Sequence, residues 1–145
     1  MNVMEYKGPV DLVVIGIAPG EMLLETIEKA IKEKGIQNGA VVSGIGTLKT
    51  CQMHHIEHTN FPPDDRFFTL EMPLELLSVS GLIANGKPHL HIVVSYKDEQ
   101  TYGGHLEPES EVLYLAEIAI MVFNDLKMDR FRDEERQVSL LGPAK

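Results

Sequence analysis

The sequence predicts an α+β domain. Three observations carry this: one stretch with helical apolar spacing, several runs of strand-like composition, and Gly, Pro and Asn punctuation between the runs. At 145 residues the chain has the length of one domain, and no internal repeat, low-complexity tract or linker divides it. A single unit over residues 1–145 is expected, with a core of about 10–123 and a C-terminal segment of 124–145.

Asp11–Ile17 reads as the first strand. Its apolar neighbourhood, Leu12–Ala18, is too short and follows too many acids to be a signal-peptide core. Residues Glu21–Lys34 place Leu23, Leu24, Ile27, Ala30 and Ile31 on one helical face, with Glu25→Lys29 and Glu28→Lys32 pairs outside. Acids early and lysines late suit the helix dipole, and Gly35 supplies a left-handed stop. Strands follow at Ala40–Leu48, Phe67–Glu71, Glu75–Ala84, His89–Tyr96 and Glu111–Phe123. Asn85–Gly86 fits a tight turn that pairs Glu75–Ala84 antiparallel with His89–Tyr96. Glu111–Phe123 is long enough for a helix, but its β-branched and aromatic residues favour a strand over part of it. Pro62–Pro63–Asp64–Asp65 reads as an exposed loop, and the mixed charges from Lys127 onward read as a solvated segment.

Thirteen basic residues against 22 acidic ones give a formal net charge of −9, which opposes direct DNA binding because phosphate contacts need a basic surface. The single cysteine, Cys51, has no intrachain partner and no motif that would activate it, so it reads as a buried, inert thiol in a reducing, cytoplasmic setting. The long apolar run Leu113–Phe123 is broken by Glu117 and falls short of the ~20 residues of a membrane span, so no membrane segment is expected.

On the strand His89–Val94 the period of two sends His89 and His91 to one face and Leu90, Ile92 and Val94 to the other. Two imidazoles roughly 6.5–7 Å apart at Cβ can admit one ion at ~2.0–2.1 Å from each nitrogen. Polar alternation on a half-exposed strand would produce the same letters. Gly103–Gly104–His105 brings a third imidazole back towards that strand, and three histidines with an open fourth position are the pattern of catalytic or ligand-exchanging zinc rather than of a closed structural site. A hydrogen-bonded histidine cluster lining a cleft is the other reading. Glu75 and Glu117, carboxylates within apolar strands, are candidate supporting groups for the histidines, against a reading as ion pairs or exposed strand positions.

Several lookalikes are set aside. His54–His55–Ile56–Glu57–His58 matches an inverted zinc-protease pattern in letters, but it lacks an apolar helical stripe; it reads as a solvent-facing strand with His54, Ile56 and His58 on one face and His55 on the other. The stretch from Gly81 to Lys87 has P-loop spacing with Pro88 where a hydroxyl residue should stand. Gly44–Ile45–Gly46 lacks the third glycine of a dinucleotide fingerprint and reads as a bend or close backbone approach.

Pro19–Gly20–Glu21, Val42–Ser43–Gly44–Ile45–Gly46, the run from Leu74 to Gly81, His89–Leu90–His91 and Gly103–Gly104–His105–Leu106 occur in an order that resembles the PPC (plant and prokaryote conserved) domain of AT-hook nuclear-localised proteins, in its stand-alone prokaryotic type. The resemblance covers roughly Val10–Phe123 and implies a largely antiparallel sheet packed by one helix, assembled as a homotrimer. It also implies zinc, or another divalent transition metal, on His89, His91 and His105. Plant members carry DNA-binding AT-hooks before the domain, whereas this sequence has no Arg-Gly-Arg-Pro hook. Where the family usually has a glycine after GGHL, this chain has the acidic turn Glu107–Pro108–Glu109–Ser110, and the resemblance is silent on His54, His55 and His58.

The expectation is a metal-binding trimer with room for a small-molecule ligand at the ion. The alternatives are a DNA-binding or transcription-associated regulator acting with a partner, and a metal-dependent hydrolase.

Overall fold

The computed structural model describes residues 1–97 and 100–144, so Lys145, the last residue of the expected C-terminal segment, lies outside it. The elements are β1 (Val10–Ile17), α1 (Leu23–Glu33), β2 (Gly39–Ile56), β3 (Asp65–Ala84), β4 (Lys87–Tyr96), β5 (Gln100–Leu106), β6 (Val112–Phe123), β7 (Met128–Asp133) and β8 (Val138–Pro143). Six strands form one antiparallel sheet in the order β1-β6-β2-β3-β4-β5, and β2 also pairs with β5. That extra pairing closes β2, β3, β4 and β5 into a ring whose side chains Met53, Val79, Leu90, Ile92 and Leu106 are buried in the core.

The helix α1 buries Leu23, Leu24, Ile27 and Ile31, the face its spacing predicts. Its end is also as read: Gly35 takes φ +65°, its N–H donates to the Lys32 carbonyl at 3.2 Å, and the Ile36 N–H donates to the Ile31 carbonyl at 2.9 Å. This reciprocal pair satisfies carbonyls that would otherwise end the helix unpaired. Asn85 and Gly86, at φ +49° and +72°, make the expected hairpin turn between β3 and β4.

Three expectations need correction. The runs Phe67–Glu71 and Glu75–Ala84 are one strand, β3, and β2 continues past Leu48 to Ile56. Pro73 falls between the two expected runs, and the pairs Leu48↔Leu74 and Thr50↔Glu71 leave Lys49 facing both Met72 and Pro73. Such a bulge asks no ladder hydrogen bond of the proline. The stretch Val112–Phe123 is strand throughout, held on both sides by β1 and β2. The charged tail is an ordered β7–β8 hairpin that keeps most of its charges exposed to solvent: the Asp133 carboxylate accepts from the Glu135 and Arg136 amides and pairs with the Arg136 guanidinium at 2.9 Å, so these charges close a turn.

A row of directly opposed residues crosses the sheet from His89 on β4 through Leu82, Ala40 and Met121 to Leu12 on β1. Opposed residues share a face, so the histidine strand lies on the same face as exposed Leu12 and Leu82. Val10 and Val14, two residues either side of Leu12, are exposed there too. Among the described residues no helix is long and apolar enough to cross a membrane.

Candidate metal centre

On β4 Leu90, Ile92 and Val94 are buried, which turns His89 and His91 outward. His91 stands opposite His105 across β4 and β5, His105 opposite His54 across β5 and β2, and His54 opposite Phe67 across β2 and β3. The ring of strands thus brings together four histidines from three segments of sequence. Ring centres lie 5.4 Å apart for His89 and His91, 5.0 Å for His89 and His105, and 5.7 Å for His91 and His105. His54 stacks on His105 at 4.5 Å with planes inclined by 22°. These histidines, with His55, Ile56, Val93 and Gly103–Gly104, line an open cavity of about 820 Å³.

Gly104 is what allows the third strand to come so close. A Cβ there would sit 2.7 Å from the His54 carbonyl oxygen and 3.3 Å from the His55 ring, closer than packed atoms tolerate. Beyond His105, the Glu107 Oε1 lies 2.6 Å from His54 Nδ1 and 2.8 Å from His105 Nδ1. An ionised carboxylate only accepts, so a hydrogen bond at each contact needs an Nδ1–H on that ring. The turn after β5 is pinned as well: the Glu107 amide donates to the Gln52 carbonyl at 3.0 Å, and the Gln52 amide donates to Ser110 Oγ at 2.9 Å. Glu109 takes φ +69° in this turn, a backbone conformation suited to the glycine that the resemblance expects nearby.

Two donor sets share His105. Donor atoms of His54, His105 and Glu107 fall within 4.8 Å of one another. The two rings in that set are nearly parallel, however, and the carboxylate oxygen already accepts from both, so hydrogen bonding accounts for the convergence. His89, His91 and His105 are inclined to one another by 37°, 45° and 76° around a common space. Three imidazoles on a tetrahedral ion at ~2.0–2.1 Å put their ring centres about 5 Å apart, which these separations approach.

The chain matches the Plants and Prokaryotes Conserved (PCC) domain over residues 4–124. It belongs to the PPC family. Of solved structures, a metal-containing protein from Archaeoglobus fulgidus is similar at 26% identity and a TM-score of 0.82, covering 97% of this chain and 98% of that one. A PPC protein from Pyrococcus horikoshii is similar at 25% identity and a TM-score of 0.78, covering 97% and 99%. A curated relative, the bifunctional protein GlmU of Synechococcus sp. (strain JA-3-3Ab), is 30% identical over 104 residues, which are 72% of this chain and 16% of that protein. The PPC chain therefore spans less than a fifth of the length of that relative.

Within this PPC domain the carboxylate that touches the histidines is neither Glu75 nor Glu117. Glu75 is exposed opposite Ser95, four residues beyond His91 and so about 13 Å along β4. Glu117 is exposed on β6 between Gly16 and Ile45. Their strands are apolar, but both side chains stand away from the cavity. His54 corrects another expectation: it does lie on a strand, but it is half-buried against Phe67 and His105 rather than facing solvent. Of the other two, His55 packs edge-on to Phe68 at 4.5 Å, and His58 pairs with Asp64 at 3.1 Å.

Burial lowers the pKa of His89 below the ordinary histidine value, with further lowering from His105, Arg130, His91 and His54. Burial lowers His91 in the same way, followed by His105 and His54. Both effects favour the neutral imidazole that a metal requires.

Proposed function

We propose that this PPC domain is a homotrimeric metal-binding protein in which His89, His91 and His105 hold one divalent transition ion, zinc by preference. The observation that carries this reading is the inclined triangle of rings at 5.0–5.7 Å, drawn from two strands whose register makes His91 and His105 direct neighbours. An all-imidazole set of three suits tetrahedral zinc with one position left for water or a small-molecule ligand. The similar Archaeoglobus fulgidus protein, described as metal-containing, supports it. An ion held this way supplies Lewis acidity, which makes metal-dependent hydrolysis chemically available.

Association has its own support. The apolar row on the face that carries His89 ends at β1, whose Val10, Leu12 and Val14 are 46%, 64% and 68% exposed on an edge strand, the kind of surface that assembly covers. A net charge of −9 opposes direct DNA binding.

Elemental analysis of untagged protein tests the metal reading: one ion per chain is expected, lost in His91→Ala, and equal content in both proteins would refute it. Light scattering at micromolar concentration tests assembly, with three times the chain mass expected and the mass of one chain contradicting it.

A further inference from the structure

We infer that Glu107 is the positioning residue of this site: its Oε1 fixes His105 in the Nδ1–H tautomer, leaving Nε2 as the lone-pair nitrogen, and His54 is the second donor that holds the carboxylate in place. The inference rests on the three-histidine reading for its consequence, while its central test needs no metal.

One carboxylate oxygen lies 2.6 Å and 2.8 Å from two imidazole nitrogens, and a carboxylate in its ionised form can only accept from them. The protons must therefore sit on Nδ1 of His54 and Nδ1 of His105. A neutral imidazole with Nδ1 protonated has its lone pair on Nε2, so His105 cannot present a proton to an ion at that nitrogen. A carboxylate partner on the far nitrogen of a ligating histidine fixes its tautomer and raises its basicity.

The surroundings hold the group in that role. Glu107 is the first residue past β5 and follows His105 by two, and its carboxylate lies on the same side as the His105 ring. Its backbone is tied to Gln52 and, through its carbonyl, to the Ser110 hydroxyl at 3.2 Å. His54 is itself fixed, stacked on His105 at 4.5 Å and packed against the tilted ring of Phe67 at 5.2 Å, so its Nδ1 faces Glu107 from a set direction. Side-chain exposures of 18% for His54 and 22% for Glu107 keep these hydrogen bonds largely out of water, where they are stronger.

The experiment is ¹⁵N-resolved NMR of the histidine tautomers in metal-free protein at fixed pH, with zinc affinity measured in parallel by chelator competition. Wild-type His105 should be the Nδ1–H tautomer. Glu107→Ala should mix the tautomers and weaken zinc binding by about 10–100-fold. Glu107→Gln, whose amide oxygen still accepts, should preserve the tautomer and lose less affinity. His54→Phe, which keeps a ring between Phe67 and His105, should give a smaller loss with one ion still bound per chain. An unchanged His105 tautomer in Glu107→Ala would overturn the inference. So would two ions per wild-type chain with one lost in His54→Phe, since His54 and Glu107 would then be ligands themselves. Failure of the three-histidine reading shows separately, as wild-type protein that binds no zinc while the tautomer results hold.

Discussion

Replacing Gly104 by alanine tests whether close contact between β5 and β2 assembles the site. The added Cβ would lie 2.7 Å from the His54 carbonyl oxygen, about 0.7 Å inside ordinary van der Waals contact. That oxygen belongs to the backbone of a paired strand and cannot swing aside, so β5 must retreat from the Met53↔Leu106 and His54↔His105 pairs. Overpacking of this kind costs about 1–3 kcal/mol. For a domain of this size each kcal/mol moves the melting temperature by roughly 3–4 °C, giving a fall of about 3–12 °C. Gly103→Ala is the control, because its Cβ would meet the Ile92 carbonyl at 3.3 Å and the next atom only at 3.7 Å. Thermal unfolding of the metal-free proteins should show a clear loss for Gly104→Ala and a change within about 1 kcal/mol for Gly103→Ala. The Gly104→Ala protein should also bind zinc more weakly. Equal effects at the two glycines, or none at Gly104, would refute the reasoning.

Burial and the neighbouring histidines lower the pKa of both His89 and His91, so between the ordinary value of 6.5 and their folded-state values the unfolded chain binds more protons than the folded one. Their contribution to the stability of metal-free protein should therefore fall as pH drops below about 6.5; urea unfolding across pH 7.5 to 5, with a His89→Gln/His91→Gln variant subtracted, should show that slope, and the opposite slope would contradict it. The Cys51 thiol is fully buried and its pKa is pushed up to about 11 by that burial, against a lowering hydrogen bond from Ser110. A disulfide reagent at pH 8 should react with it only on unfolding, and rapid labelling of native protein would show the burial to be wrong. Glu109→Gly should raise stability by up to about 1 kcal/mol, read from the urea midpoint, because φ +69° is strained for a side-chain-bearing residue; a loss would mean that the Glu109 side chain holds the turn.

What could be read from the letters was whatever short-range spacing dictates. The α1 face, the Gly35 stop, the Asn85–Gly86 turn and the outward pair His89 and His91 all follow from periods of 3.6 or 2 and from backbone freedom at single residues. The position of His105 beside His91 follows from a short return, so it too was within reach. His54 was not, because it enters through the β2–β5 pairing, which joins residues some fifty positions apart and leaves no local trace. Glu107 did carry a signal: it stands two residues beyond His105 and shares its side of the chain. Glu75 and Glu117 drew notice because they interrupt apolar strands, yet an exposed strand face accommodates such charges without a partner site. The continuity of β3 through Pro73 was not legible either, since a bulge that removes the need for its N–H is visible only in the register.

The central claim is that the ion belongs to the three inclined histidines and not to the stacked pair with its carboxylate. Anomalous diffraction at the zinc edge, from crystals of untagged protein loaded with stoichiometric zinc, tests it most directly. One peak per chain is expected at ~2.0–2.1 Å from a nitrogen of each of His89, His91 and His105, with Glu107 remaining hydrogen-bonded to the far nitrogen of His105. A peak between His54 and Glu107, or none at the three histidines, would contradict it.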